Sequence, residues 1–272
     1  MATVDELLAE ASAALDVADV DERAARLFVV AGRLQATGDE HATAEARVLL
    51  SRAARDGSAL AAFDLAMLLL AGRGGDVDTA GGLEWLGRAA AELPTAAAVL
   101  GGMLLFDAES APDGIAWLRQ AAAKNEPSAF WLLGAAHLRG LGVAVDARQA
   151  RMLVTAAAEA GVVEAQLELA RLYVDGVGGA RDETAAARWE RAAAEAGSAD
   201  GCLRVAERAA RRPGGTALAI PWLERAAGAG SAEAAARLAH LYSMGREVTR
   251  DMGLAERWMT LAKELGWQPD PE

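Results

Sequence analysis

The strongest constraint on this chain is a pattern that returns after 36 residues. The stretch GLGVAVDARQARMLVTAAAEAG at residues 140–161 is followed by GVGGARDETAAARWERAAAEAG at residues 176–197, with glycines, an aspartate and an alanine pair in the same places. A large apolar residue stands four positions before each alanine pair or its close variant, at spacings of 36, 32, 36, 36, 33 and 36 residues: Leu49, Trp85, Trp117, Leu153, Trp189, Trp222 and Trp258. Such self-similarity predicts stacked helix pairs, because one pair alone cannot bury its apolar face.

Within one period the residues predict two helices joined by a loop. The first helix carries apolar residues on one face, as in Ala165, Leu169, Ala170 and Tyr173. Glycines that can adopt positive φ follow it, and an aspartate before the second helix is expected to cap that helix through its free N–H groups. The loop glycines are Gly72, Gly74, Gly140, Gly142, Gly176 and Gly178, and the aspartates are Asp78, Asp146, Asp182 and Asp251. The second helix ends near Gly57, Gly161, Gly197, Gly230 or Gly266.

Composition agrees with an all-α chain that buries a core. Apolar residues make up 53% of the sequence and aromatic residues only 5%, and much of the apolar share is alanine, the best helix former. The net charge of −12 argues against nucleic acid or an anionic membrane surface as the partner.

With one cysteine, no basic and apolar leader and no long apolar run, we expect a cytoplasmic protein. Usage rich in alanine, arginine and glycine indicates a bacterium with GC-rich DNA.

Two repeats are three residues short between their first and second helices. The separation is 13 residues from Leu104 to Trp117 and from Ala209 to Trp222, against 16 from Tyr173 to Trp189. We expect tighter turns there and a second helix that lacks about its first turn. We also expect the tryptophans to be the main buried anchors between helices.

These residues together resemble the Sel-one-like (Sel1-like) repeat family, a relative of the tetratricopeptide repeats. The frame is A-x-x-x-L-G/A-x-x-Y-x-x-G-x-G-V-x-x-D-x-x-x-A-x-x-W-x-x-x-A-A-x-x-G; it covers residues 58–266 and, less closely, 22–57. The resemblance implies a right-handed α-solenoid of about seven helix-turn-helix repeats with a period of 33–36 residues. It also implies a concave inner face, used by an adaptor for other proteins.

The predicted layout is an N-terminal capping helix, seven repeats and a short tail. The capping helix occupies residues 1–21, the first to seventh repeats 22–57, 58–93, 94–126, 127–162, 163–197, 198–230 and 231–266, and the tail 267–272.

A concave groove is the candidate binding site. The tetratricopeptide-like frame points fixed positions of each first helix into it, and these positions are more apolar than a solvated face should be. They are Phe63, Met67, Leu70, Leu105, Phe106, Trp131, Leu138, Arg139, Leu167, Arg171, Val174, Arg211, His240 and Met244. The predicted ligand is a peptide or amphipathic helix of another protein, with Arg139, Arg171 and Arg211 meeting its carboxylates. The alternative for each residue is packing against the neighbouring repeat.

Motifs for catalysis are missing from the sequence. It has no G-x-S-x-G, H-E-x-x-H, S-x-x-K or Walker loop, and the glycine stretches follow helices and repeat with the period. His41, His137 and His240 lie in different repeats, and Cys202 is expected to be a small buried residue. We therefore expect a non-catalytic interaction scaffold with no cofactor and no metal. A nucleic-acid-binding helical array, or an enzyme or ligand-binding protein that uses the groove, are the alternatives.

Overall fold

A computed structural model describes residues 2–245 and 247–268, and every regular element in those residues is an α-helix. The chain forms two compact parts, here called the N-terminal unit (Met1–Ala144) and the C-terminal unit (Val145–Glu272). No helix in the described residues is both long and apolar enough to span a bilayer. Residues 269–272 of the predicted tail lie outside the described residues.

The N-terminal unit contains eight helices, each packed against the next, and α6 also packs against α8. They are α1 (Val4–Leu15), α2 (Val20–Gln35), α3 (Glu40–Arg55), α4 (Ala59–Ala71), α5 (Thr79–Ala90), α6 (Pro94–Leu104), α7 (Ala111–Ala123) and α8 (Pro127–Arg139). Short loops between neighbours make successive helices antiparallel. The core is a seam of alanines and leucines along these helices.

The C-terminal unit contains seven helices with the same neighbour-on-neighbour packing. They are α9 (Ala147–Glu159), α10 (Val163–Asp175), α11 (Glu183–Glu195), α12 (Ala199–Ala210), α13 (Thr216–Gly228), α14 (Ala232–Met244) and α15 (Met252–Glu264). The boundary between the two units falls inside the predicted fourth repeat, residues 127–162.

The predicted caps are present. Each of the four loop aspartates stands at the N-cap of a second helix, and its side chain accepts a backbone N–H bond, as from Ala185 to Asp182 at 2.9 Å. The glycines that end the first helices, Gly72, Gly140 and Gly176, are left-handed with φ of 65–74°. Local chemistry therefore fixes where these helices begin and end.

Close stacking of repeats requires the second loop glycine. Gly178 has φ of 73°, and a Cβ atom there would lie 2.2 Å from the carbonyl oxygen of Ala147, in the second helix of the preceding repeat. Gly74 and Gly142 approach Thr43 and Ala111 in the same way. The glycine thus permits contact between repeats as well as the turn.

The prediction for the two short repeats is half wrong. Their loops are shorter, at six residues (105–110) and five residues (211–215), against seven in 72–78 and 176–182. The second helices α7 and α13 keep 13 residues, however, and the first helices are the ones shortened, to 11 residues in α6 and 12 in α12. In α7, Pro112 favours the start of the helix, because proline suits the first turn.

The prediction that tryptophans are the main buried anchors is wrong by one position. The five tryptophans of the pattern, Trp189 included, are only partly buried. The residue that follows the pattern position is fully buried in most repeats: Leu50, Leu86, Leu118, Val154 and Leu223 are at most 4% exposed. The indoles lie on the flank of the second helix, where Arg88 stacks over Trp85 at 4.5 Å and Arg225 over Trp222 at 4.8 Å.

The fifth repeat carries a charge at this buried position. Glu190 is 5% exposed, and Arg208 of α12 binds both of its carboxylate oxygens, at 2.8 and 3.2 Å. Arg208 also binds Glu183 at 2.8 Å, and these carboxylates raise the pKa of its guanidinium further above its ordinary value. A bidentate ion pair between α11 and α12 thus replaces the apolar contact made by the other repeats.

Candidate functional site: an apolar pocket in the C-terminal unit

A large pocket lies among the last four helices of the C-terminal unit. Its volume is about 690 Å³, and most of its wall is apolar. The lining residues are Ala206, Glu207 and Ala210 of α12, Thr216, Ala219 and Leu223 of α13, Glu233, Ala236, Arg237, Ala239, His240, Leu241 and Ser243 of α14, Met252, Ala255, Glu256 and Met259 of α15, and Trp267. Pockets of this size and character are the usual form of a binding site in proteins.

Small residues in the sixth repeat leave this space open. Near the end of the first helix, several other repeats place large residues at two adjacent frame positions, such as Leu69 and Leu70 or Tyr173 and Val174. The sixth repeat has Ala209 and Ala210 there. The missing side-chain volume leaves room between α12 and the helices that follow it.

The tight turn after α12 brings α13 to the pocket wall. A Cβ atom on Gly215 would lie 2.0 Å from the carbonyl oxygen of Ala209, so only glycine allows the chain to pass this close to the end of α12. The neighbouring helices are fixed by N-caps: Ser198 accepts from Gly201, Ser231 from Ala234 and Asp251 from Leu254. Four helices of set length and direction therefore surround the pocket.

Charged side chains line part of the pocket. Arg237 binds Glu207 at 2.8 Å and Glu233 at 2.7 Å, so two carboxylates share one guanidinium. Glu256 on α15 is exposed and has no ion pair among the described residues. Three carboxylates face one arginine and His240, which makes the polar part of the pocket acidic.

Eight of the fourteen predicted groove residues lie in the N-terminal unit. Phe63, Met67 and Leu70 are on α4, Leu105 and Phe106 directly follow α6, and Trp131, Leu138 and Arg139 are on α8. Phe106 is 78% exposed, the largest value among the exposed large apolar residues, and Met67 is 40% exposed. The prediction for Leu105 is wrong: it is 3% exposed, because it ends α6 facing the core of the unit.

The other six lie in the C-terminal unit. Leu167, Arg171 and Val174 are on α10, Arg211 ends α12, and His240 and Met244 are on α14. Arg171 binds Glu168 and, at 3.1 Å, Asp175 on its own helix, so its charge is already matched. Of all fourteen residues, His240 is the one that lines the pocket.

The groove prediction includes only His240 of the pocket, because the repeat frame selects a few fixed positions and takes them from the first helices alone. Eight of the eighteen lining residues come from the second helices α13 and α15 and from Trp267. The pair Ala209–Ala210 was the available signal, since two large frame residues are replaced by alanine at the shortened turn.

The described residues offer little for catalysis. They contain no group of three or more His, Cys, Asp or Glu side chains placed to hold a metal ion. Cys202 is 1% exposed, as expected, and burial raises the pKa of its thiol, although Arg225 opposes that change. A thiol that stays protonated and shielded is a poor nucleophile.

Comparison with known proteins identifies the repeat. The Sel1 repeat family model matches residues 59–92, 110–126, 127–162, 163–198 and 232–267, together more than half of the chain. The chain belongs to the Sel1 repeat family. Fifteen helices without a strand in the described range confirm the predicted fold class, an all-α solenoid type built from helix-turn-helix repeats. Residues 22–57 and 199–230 fall outside the matches, so the number of seven repeats remains a prediction.

Solved structures contain the same fold. A Sel1 repeat protein from Oxalobacter formigenes is 26% identical, with a TM-score of 0.72 over 97% of this chain and 83% of that one. The protective antigen c5321 of uropathogenic Escherichia coli, which displays an SLR fold, is 22% identical, with a TM-score of 0.63. That alignment covers 98% of the present chain and 65% of the antigen. No curated protein matches the sequence. Sel1 repeat proteins typically act as protein-interaction scaffolds and are generally non-catalytic.

Proposed function

We propose that this Sel1 repeat protein is a non-catalytic interaction scaffold that seats apolar side chains of a partner protein in the pocket between α12 and α15. The observation that carries the proposal is the 690 Å³ apolar pocket that the alanines of α12 leave open. An unfilled apolar surface in water is costly unless something covers it, so such surfaces commonly mark binding sites. The family's usual role supports the same conclusion. A cytoplasmic location is part of the proposal and rests on the sequence.

The direct test blocks the pocket without disturbing the core. Ala210 lines the pocket and is exposed, so Ala210→Trp fills it from the solvent side. Ala229, at the end of α13, is also exposed and does not line the pocket, so Ala229→Trp is the matched control. Proteins captured by the wild type and by Ala229→Trp should be lost with Ala210→Trp. Equal capture by all three, with unchanged melting curves, would remove the pocket from the proposal.

Apart from the buried Leu105, the remaining predicted groove residues of each unit are further contact positions in the proposal. Trp131 in the N-terminal unit and Arg171 in the C-terminal unit are the residues to substitute together, in a pull-down against a partner that Ala210→Trp has identified. Reduced recovery with an intact fold supports the groove. Unchanged recovery restricts binding to the pocket.

An apolar small molecule is the second candidate for the pocket. Its volume lies within the range of about 300–1,000 Å³ that is usual for sites that hold such ligands. A bound small molecule would raise the melting temperature of the wild type and of Ala229→Trp but not of Ala210→Trp. Stabilisation that survives in Ala210→Trp would place the ligand elsewhere.

A further inference from the structure

Charge at the pocket specifies the kind of partner. We infer that the occupant is a basic amphipathic helix of a partner protein, an inference that rests on the pocket binding proposed above. The juxtaposition that carries it is an apolar wall beside three carboxylates, of which two share a single guanidinium.

The charges at the pocket are unbalanced. Glu207 and Glu233 both bind Arg237, at 2.8 and 2.7 Å, and all three side chains are at least 40% exposed. Two carboxylates thus share one positive charge, that of Arg237. Glu256 adds an exposed carboxylate that has no ion pair among the described residues. A lysine or arginine of a partner meets an attractive field here, whereas an acidic segment meets repulsion from the pocket and from the whole chain, whose net charge is −12.

Small side chains form much of the apolar wall. Ala206, Ala210, Ala219 and Ala236 offer short side chains, so the space between them admits long apolar side chains from outside. A helix presents such side chains from one face at every third or fourth position and carries its charged residues on the flanks. The pocket lies among helices, and a helix laid against helices is a common mode of peptide recognition. Leucine or methionine on the inner face and lysine or arginine on the flanks match the pocket.

The experiment uses three model peptides with one leucine face and flanks of lysine, glutamine or glutamate. Each is labelled, and its binding to the full chain is measured by fluorescence anisotropy at low and at physiological salt. We expect the lysine peptide to bind at least about tenfold more tightly than the glutamate peptide at low salt, with a smaller ratio at physiological salt, because ions screen exposed charges. Ala210→Trp should abolish this binding, and Ala229→Trp should leave it unchanged.

A pair of charge reversals separates the pocket from the overall charge. Glu256→Lys and Glu264→Lys change the net charge equally and both lie on α15, but only Glu256 lines the pocket. We expect Glu256→Lys to weaken the lysine peptide about fivefold at low salt, and Glu264→Lys to have little effect. Circular dichroism and melting curves establish that each variant is folded.

The contrary outcomes distinguish failure of the charge inference from failure of the pocket docking. If the three peptides bind equally and Ala210→Trp blocks them all, the pocket is a docking site but the charge inference is wrong. Equal weakening by Glu264→Lys and Glu256→Lys also overturns the inference, because the net charge then explains the preference. If no peptide binds, or if binding ignores Ala210→Trp, both the inference and the pocket docking fail.

Discussion

At the scale of single residues, the C-terminal unit departs from its own repeat at Glu190. The equivalent residues Leu50, Leu86, Leu118 and Val154 fill the seam, whereas Glu190 holds a charge there and depends on Arg208. Removing one partner of a buried ion pair costs more than replacing both by apolar residues, since the remaining charge stays desolvated. We therefore expect the pair to fix how α11 and α12 meet more than it adds stability.

Glu190→Ala should lower the free energy of unfolding by about 3 kcal/mol, because it leaves Arg208 bound only to Glu183 and opens a cavity. The double variant Glu190→Leu with Arg208→Met restores the apolar contact and should lie within about 1 kcal/mol of the wild type. Urea unfolding measures both. The exposed Glu195→Ala on the same helix is the control. A double variant as unstable as Glu190→Ala would contradict this account.

A second residue, Asp56 at the end of α3, links stability to pH. The Arg23 guanidinium donates to its carboxylate at 2.7 Å, and this bond, with Arg52 at 3.4 Å, holds the pKa of Asp56 below its ordinary value. A lowered carboxyl pKa stabilises the fold above the unfolded pKa of about 3.9, and the gain is lost as pH falls through the folded value.

Asp56→Asn should therefore be less stable than the wild type at neutral pH. The difference should begin to shrink as the pH falls below the unfolded pKa of about 3.9, and it should vanish below the lowered folded pKa, where both proteins carry an uncharged side chain at this position. Thermal melts from neutral to acidic pH measure it. The exposed Asp76→Asn, a loop residue without an ion pair among the described residues, is the control. A difference that stays constant with pH would mean that the Arg23 contact does not depend on the charge of Asp56.

At the scale of elements, adjacent repeats make matched contacts between a second helix and the next loop. Arg151 of α9 donates to the carbonyl of Ala180 at 3.1 Å and stacks on the Tyr173 ring at 4.0 Å, and a Cβ atom on Gly179 would lie 2.6 Å from its Nη1 atom. Arg47 and Gly75 repeat the arrangement in the N-terminal unit. At the two other junctions of this kind the sequence instead has isoleucine and valine: Ile115 with Val143, and Ile220 with Val248.

We therefore expect that the isoleucine–valine pair can replace the arginine–glycine pair only when both residues are changed together. Gly179→Val displaces the Arg151 guanidinium, and Arg151→Ile loses the carbonyl bond and the stacking, so each single variant should be destabilised. The double variant carries the isoleucine–valine pair and should recover at least about 1 kcal/mol relative to the sum of the single effects. Urea unfolding of the four proteins completes the cycle. Effects that add to within about 0.5 kcal/mol would show that the two positions are independent.

What the sequence predicts well at this scale is local. The caps at Asp146 and Asp182 and the left-handed Gly176 follow from residue chemistry within a few positions, so periodicity alone places them. The tryptophan register was wrong because helix rotation is set by the neighbours, which bury the residue after Trp85 and leave the indole on the flank. The ion pairs of Arg171 were predictable, since Glu168 and Asp175 stand three and four positions away on one helix.

At the scale of the whole molecule, the candidate site depends on contacts that no single repeat contains. The pocket needs the small residues of α12, the tight turn at Gly215, the second helices α13 and α15, and Trp267 beyond the last helix. Repeat spacing predicts each helix but not how a three-residue deletion opens the space between them. The groove prediction therefore included His240 and missed the rest of the pocket.

The negative net charge of the chain predicts that it does not bind nucleic acid. With 39 acidic and 27 basic side chains, the chain carries −12, and Arg171, Arg208 and Arg237 are each bound to two carboxylates. Binding to nucleic acid depends on cations that neutralise phosphates and release counterions. These three arginines are already paired with carboxylates, and the negative net charge repels phosphates at long range. Both features oppose binding to nucleic acid.

A labelled DNA duplex should accordingly show no rise in anisotropy up to about 100 µM protein at physiological salt, a range in which non-specific DNA-binding proteins do bind. The lysine-flanked peptide, measured under the same conditions, is the matched control, since it has the charge that the pocket attracts. Lowering the salt should strengthen the peptide signal and leave the duplex unbound, because the same field attracts one and repels the other. Saturable duplex binding that weakens as salt is added would favour the nucleic-acid-binding array instead, and would require a basic surface that outweighs the acidic field.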